Sequence, residues 1–226
     1  MYQKYIKRFL DFSLSLFALL VLSPFLILFI ILGAIIMKGN PFFTQDRPGK
    51  DEKIFKLIKF RTMTCETDEN GELLPDDMRL TKYGKFIRST SIDELPELIN
   101  ILKGDMSIIG PRPQLVRDMV FMTNEQRRRH TVRPGLSGLA QVNGRNAIKW
   151  EDKLNFDLEY IKNITFIGDV KLILQTVIKV FKRADISEEG METALDFGDY
   201  LLKSRRIEEA EYKTKLQEAK ELISQR

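Results

Sequence analysis

Residues 12–37 contain no charged side chain, and an uncharged run of 26 positions is long enough to form a membrane helix. Ser23-Pro24 stands near its centre, where proline removes one backbone donor and leaves the carbonyl four residues back without its partner. The arms on either side, residues 12–22 and 25–37, hold 11 and 13 residues. At about 1.5 Å of rise per residue, each is well short of a hydrocarbon core about 30 Å thick. Lys4, Lys7 and Arg8 precede the run, and Lys38, Arg47, Lys50 and Lys53 follow it. Because positive charge marks the cytoplasmic side, both ends ask to be there. The expectation is a re-entrant anchor over residues 1–38, broken at Ser23 and Pro24, with Asp11 and Lys38 at the headgroup level. An ordinary kinked span is the alternative. A signal peptide fits poorly, because the apolar core is too long and lacks an A-x-A cleavage pattern.

The second constraint is Arg88-Ser89-Thr90-Ser91-Ile92-Asp93-Glu94-Leu95-Pro96, which leads into the apolar run Leu98-Ile99-Asn100-Ile101-Leu102. Proline is tolerated in the first turn of a helix, so a helix through Leu102 is expected to begin near Ile92 or Asp93. Asp93 and Glu94 then sit among free backbone N–H groups at the positive end of the dipole, which favours ionised carboxylates and attracts phosphate. The simpler reading is capping: Ser91-x-x-Glu94 matches a capping box and Asp93 an N-cap.

Two strands, residues 41–45 and 53–61, are expected around the turn Asp46-Arg47-Pro48-Gly49-Lys50, followed by an acidic loop over 66–77. In Pro111-Arg112-Pro113 the two prolines restrict the backbone and lower the entropic cost of presenting the Arg112 guanidinium to an oxyanion. The glycines between Pro134 and Asn146 would let a ligand approach the backbone, and Arg145, after Gly144, is a plausible phosphate contact. The run Arg127-Arg128-Arg129-His130 with Arg133 reads as a solvated or lipid-facing basic cluster, with His130 structural. A helix over 169–182, carrying Lys171, Gln175 and Lys179 at intervals of four, fits either the membrane interface or a buried position with one wet face.

A net charge of +4 is a mild basic bias, compatible with anionic lipid or phosphorylated ligands and too small to argue for nucleic acid. One cysteine (Cys65) and one histidine exclude an internal disulfide and a zinc-type site. Residues 39–185 are expected to form the cytoplasmic domain, in the α+β class, mostly helical with a small sheet. Residues 186–226 form a charged helical or partly disordered appendage, through which copies of the chain could pair.

With these residues laid out, the chain resembles the monotopic phosphoglycosyl transferases, the bacterial sugar transferase family in its short single-domain form, over about residues 1–185. The marks are Ser23-Pro24, Lys59-Phe60-Arg61-Thr62-Met63, Arg88, Ser91-Ile92-Asp93-Glu94-Leu95-Pro96, Asn100, Lys103-Gly104-Asp105-Met106-Ser107, Gly110-Pro111-Arg112-Pro113, Arg133-Pro134-Gly135 and Gln141-Val142-Asn143-Gly144-Arg145. The resemblance implies transfer of a sugar-1-phosphate from a UDP-sugar to polyprenyl (undecaprenyl) phosphate at the cytoplasmic face of the bacterial inner membrane, releasing UMP. It implies Asp93 as a nucleophile that forms a covalent phosphosugar intermediate, and Glu94 as the carboxylate associated with Mg²⁺. Lys59, Arg88, Arg112 and Arg145 become phosphate-binding candidates, and Asp157 a further polar member of the site. Two other readings are a non-catalytic adaptor that binds anionic membrane lipid, with Asp93 merely a cap, and an enzyme that transfers the phosphoryl group directly.

Overall fold

A computed structural model describes residues 1–144, 148–182 and 195–225. Its first long element is α1 (Lys7–Ile36), a single helix that carries Pro24 inside and is long and apolar enough to cross a membrane. The expected division into two arms is not seen, and the Ser-Pro pair itself supplies the reason. Pro24 has no N–H for the Leu20 carbonyl, and the Ser23 hydroxyl donates to that same carbonyl at 2.8 Å, so the helix continues.

One side of α1 exposes Phe9, Phe17, Leu20, Phe25, Leu28 and Ile35. The other touches the folded domain along its length. Arg8 donates to the Ile101 and Leu102 carbonyls at 2.5 and 2.8 Å, and Lys7 pairs with Asp169 at 2.6 Å. Asp11, expected at the headgroups, is instead buried and accepts from the Ser107 hydroxyl (2.7 Å) and the Ile108 amide (3.0 Å). Ala18 and Leu19 pack on a core of Phe55, Leu57, Leu98, Ile101 and Met106. Further on, the Tyr83 hydroxyl donates to the Phe29 carbonyl at 3.0 Å.

The β1 strand (Phe42–Pro48) and β2 (Ile54–Phe60) form an antiparallel pair, with Phe42 opposite Phe60 and Pro48 opposite Ile54. β1 thus runs through Arg47 and Pro48, which the sequence placed in the turn. After the single turn α2 (Asp76–Arg79) comes α3 (Lys82–Ser89), capped by the Thr81 hydroxyl, which accepts from the Gly84 amide at 2.9 Å. The helix α4 (Glu97–Lys103) ends at Gly104, whose φ of 94° closes it in the left-handed region. Its Asn100 side chain accepts from the Ile58 amide (3.1 Å) and donates to the Lys56 carbonyl (2.7 Å), stapling α4 to β2.

Two short parallel strands, β3 (Ser107–Ile109) and β4 (Gly135–Ser137), bracket the single turns α5 (Val116–Met119) and α6 (Asn124–Arg127). A Cβ added at Gly135 would lie 2.1 Å from the Gly110 nitrogen, and one at Gly138 2.1 Å from the Gly110 oxygen. The space these glycines leave is therefore filled by the chain's own backbone and not by a ligand. The turn α7 (Leu139–Val142) then leads towards α8 (Trp150–Lys162) and α9 (Phe166–Lys182). Along α9, Leu172 is buried while Ile167, Val170, Leu174, Val177 and Ile178 are exposed, so its outward face is apolar and suits a membrane interface. The basic run is not one solvated face either: Arg129 and His130 are buried.

The charge-dense end forms α10 (Phe197–Lys203) and α11 (Glu209–Ser224). Phe197 is buried against Trp150 with ring centroids 5.0 Å apart, and Ala219 packs with Val116, Met119 and Val120. Arg117 pairs with Asp196 and Asp199, holding these helices to α5.

Candidate functional site

Ser91 is a non-glycine residue in the left-handed region (φ 56°), where it turns the chain sharply out of α3. Ile92–Glu94 then forms one 3₁₀ turn, and Pro96 caps α4, which begins at Glu97. The helix therefore starts four or five residues later than the expected Asp93 or Ile92. Leu95 itself stays in the right-handed region (φ −58°, ψ −34°), but Pro96 supplies no N–H for the Ile92 carbonyl, which leaves Ile92–Glu94 a separate 3₁₀ turn and places the regular helix after Pro96. Ser91 makes no side-chain capping bond, so the capping box does not form.

Glu94 faces two cations instead. Its Oε1 accepts from Lys59 Nζ and from an Arg112 terminal nitrogen, each at 2.8 Å. Lys59 also reaches Glu97 Oε1 at 3.2 Å. Lys59 is aimed by the Asn100 staple between β2 and α4. Arg112 is aimed by its prolines and by two further arginines, Arg129 donating to its carbonyl (2.5 Å) and Arg47 to that of Pro113 (3.0 Å). Asp93, Glu94, Lys59, Arg88 and Arg112 all line one cavity of about 1200 Å³. Arg88 lies there with its Nε donating to the Thr62 hydroxyl at 3.1 Å.

The carboxylates differ sharply in charge state. Burial would raise Glu94, but Arg112 and Lys59 outweigh it and hold the acid well below the usual carboxylate range. Asp93 is pushed up to about 6 by burial and by the Glu94 charge, against the pull of Lys59, Arg88 and Arg112. Glu97 is pushed up to about 7, again chiefly by burial. The result is a Glu94 held in its ionised form beside an Asp93 that loses its proton at about pH 6. Activity that depends on ionised Asp93 is expected to rise about tenfold per pH unit below about 6 and to level off above it. A pH profile of kcat/KM for the nucleotide-sugar checks this, and a flat profile between pH 5 and 8 contradicts it.

Asp157 does not line this cavity. It is buried and accepts from Arg129 Nε (2.9 Å) and a terminal nitrogen (2.6 Å), so it reaches the site only through Arg129 and the Arg112 carbonyl. Arg145 lies outside the described residues. Ser23 and Pro24 are in α1, away from the carboxylates in sequence and absent from the cavity wall. Glu97 was not picked out from the sequence as a second acid beside Lys59. Its signal was available as the one acidic residue in the sequence Glu97–Lys103.

A Mg²⁺ ion asks for hard oxygen donors and commonly takes one or two protein carboxylates plus substrate phosphates. Among the described residues no group of three or more His, Cys, Asp or Glu side chains is arranged to hold a metal. Glu94, whose Oε1 already accepts from Lys59 and Arg112, is the one carboxylate that the resemblance offers for the smaller requirement.

A model of the bacterial sugar transferase family matches residues 2–183. The sugar transferase EpsL of Bacillus subtilis (strain 168) is 48% identical over 193 residues, covering 85% of this chain and 95% of that protein. The UDP-glucose:undecaprenyl-phosphate glucose-1-phosphate transferase of Escherichia coli (strain K12) is 39% identical over 191 residues, 78% of this chain and 40% of that protein. The UDP-N-acetylgalactosamine-undecaprenyl-phosphate N-acetylgalactosaminephosphotransferase of Aeromonas hydrophila is 38% identical over 185 residues, 76% of this chain and 43% of that protein. The chain thus spans nearly all of one relative and about two fifths of the two whose names state substrates.

Proposed function

The chain belongs to the bacterial sugar transferase family, and on that premise we propose that it transfers a sugar-1-phosphate from a UDP-sugar to polyprenyl phosphate, releasing UMP. One observation carries the reading. Glu94 is turned onto Lys59 and Arg112 and not onto the start of a helix, which leaves Asp93 at the cavity with no capping task.

In the proposed reaction an Asp93 carboxylate oxygen attacks the phosphorus nearer the sugar. A bond from Asp93 oxygen to phosphorus forms, the diphosphate bridge breaks, and UMP leaves with the electron pair. An oxygen of the lipid phosphate then attacks the same phosphorus, and Asp93 departs as carboxylate. An anion attacking a diphosphate meets like-charge repulsion, which Arg88, Arg112 and Lys59 offset by holding the phosphate oxygens. Glu94 would hold Mg²⁺, which when bound neutralises further charge on the diphosphate. UMP release from a panel of UDP-sugars, with and without polyprenyl phosphate, tests the reading. Absence of release from every sugar in the presence of lipid and Mg²⁺ overturns it.

The anchor is proposed to be re-entrant, with the domain on the cytoplasmic face of the inner membrane. The 30 residues of α1 rise about 45 Å in all. Contacts at Arg8, Ala18, Leu19 and Phe29 with one folded domain support both ends of α1 lying on the same side. Single cysteines at Y5C and K38C, in a chain carrying C65S, should both react with an impermeant thiol reagent from the cytoplasmic side only. Labelling from opposite sides contradicts this topology.

A further inference from the structure

Two of the cations facing the cavity are already committed: Lys59 and Arg112 both pair with Glu94. Part of their charge is therefore offset before a diphosphate enters, and even as they hold its oxygens the diphosphate gains from further positive charge. Arg47 supplies it. Its guanidinium lines the cavity, yet the hydrogen bonds it makes go to neutral acceptors, the Pro113 carbonyl (3.0 Å) and Gln45 Oε1 (2.7 Å). Its Nε is buried without a partner, and among the described residues no carboxylate pairs with it. Asp118, Glu97 and Asp196 act on it only at longer range, while burial and the neighbouring Arg112 lower its pKa. A half-buried cation held near a second cation, with only neutral acceptors for its terminal nitrogens, is costly unless an anion offsets it. A bare stitch between β1 and the Arg112 loop would require neither the charge nor the unmet donor.

We propose that Arg47 binds the phosphate of the nucleotide that leaves, next to the phosphate that Arg112 holds at Asp93. This rests on the transferase reading above. The surroundings separate the two phosphate-bearing substrates. Around Arg47 the wall is polar and carries Gln45, Gln114, Asp118 and Asp196. Arg88 also makes bonds only to neutral groups, Thr62 and Met63. The polar wall at Arg47 suits a soluble nucleotide.

The test uses the full chain in nanodiscs, with UMP binding measured by calorimetry and KM measured for both substrates. R47M is expected to weaken UMP binding and raise KM for the UDP-sugar by about tenfold or more, while KM for polyprenyl phosphate stays within about twofold, the loss of one charge-assisted contact. R47K, which keeps the charge, is expected to recover most of the UMP affinity although it loses the fork that holds Pro113. Should R47M not fold, R47Q takes its place, since it keeps a donor for the Pro113 carbonyl without the charge. Unchanged UMP affinity in the uncharged variant overturns the proposal, as does a rise confined to the lipid KM. Equal losses in R47M and R47K that track a common fall in Tm overturn it too, by making Arg47 a structural stitch. Failure of the unsubstituted chain to bind UMP overturns the transferase reading itself and this inference with it.

Discussion

Asp93→Asn is expected to reduce UMP release to background, a loss of at least about 10³-fold, because the amide has no ionised oxygen with which to form the bond to phosphorus. The same substitution should leave the protein as stable or more so. In the folded state Asp93 is pushed up to about 6, above the ordinary aspartate value near 3.9. Between these values the folded state holds the proton more tightly than the unfolded chain, so stability falls as the pH rises from about 4 to about 6. Above that window the ionised Asp93 is a net cost to the fold, imposed by burial and by Glu94. Asn removes the cost, so D93N should gain in Tm at pH 8 and gain little at pH 4. A capping aspartate behaves differently: Asn caps about as well as Asp, so D93N would lower stability only slightly and show no gain at pH 8. Thermal unfolding at the two pH values separates these accounts, and the absence of a gain at pH 8 favours the cap.

The second large effect concerns Asp157. Its side chain and that of Arg129 are 2% and 1% exposed, and Arg129 also holds the carbonyl of Arg112. Asp157→Ala leaves a buried guanidinium unpaired, which costs about 3–5 kcal/mol, a large part of a typical domain stability of about 5–15 kcal/mol. A fall in the denaturation midpoint at unchanged m is the expected result. What activity survives should show weakened nucleotide-sugar binding, because the loop that presents Arg112 loses one of its two supports. If D157A instead unfolds like the unsubstituted chain and only KM rises, Asp157 touches substrate directly.

Asp157 also shows where sequence reasoning reached its limit. The adjacent Asp93 and Glu94, the proline-framed Arg112 and the Ser23-Pro24 pair are local patterns, and local patterns are visible in a single chain. The partner of a buried carboxylate is not. Arg129 lies 28 residues from Asp157 and sits in a basic run that looks solvated. The glycines of β4 and its flank misled for a similar reason: a gap for a ligand and a gap for the backbone at Gly110 look the same in sequence. The start of α4 was misplaced because capping preferences are weak beside the backbone donor that Pro96 lacks and the left-handed turn at Ser91. The last helices read as an appendage because their charge density hides the few residues, Phe197 and Ala219 among them, that carry their packing. What the sequence did convey was composition by region: an apolar anchor, a cation-rich middle and a charged end. The mixed α and β elements between them were also legible.

The central claim is that Asp93 carries the sugar phosphate. Intact mass measurement of the full chain, incubated with a turned-over UDP-sugar and Mg²⁺ but no lipid, tests it most directly. The expected result is a protein heavier by one phosphosugar, mapped by peptide analysis to Asp93, absent in D93N and discharged on addition of polyprenyl phosphate. Steady turnover with lipid present, but no adduct formed in its absence, would contradict it and favour direct transfer between the two substrates.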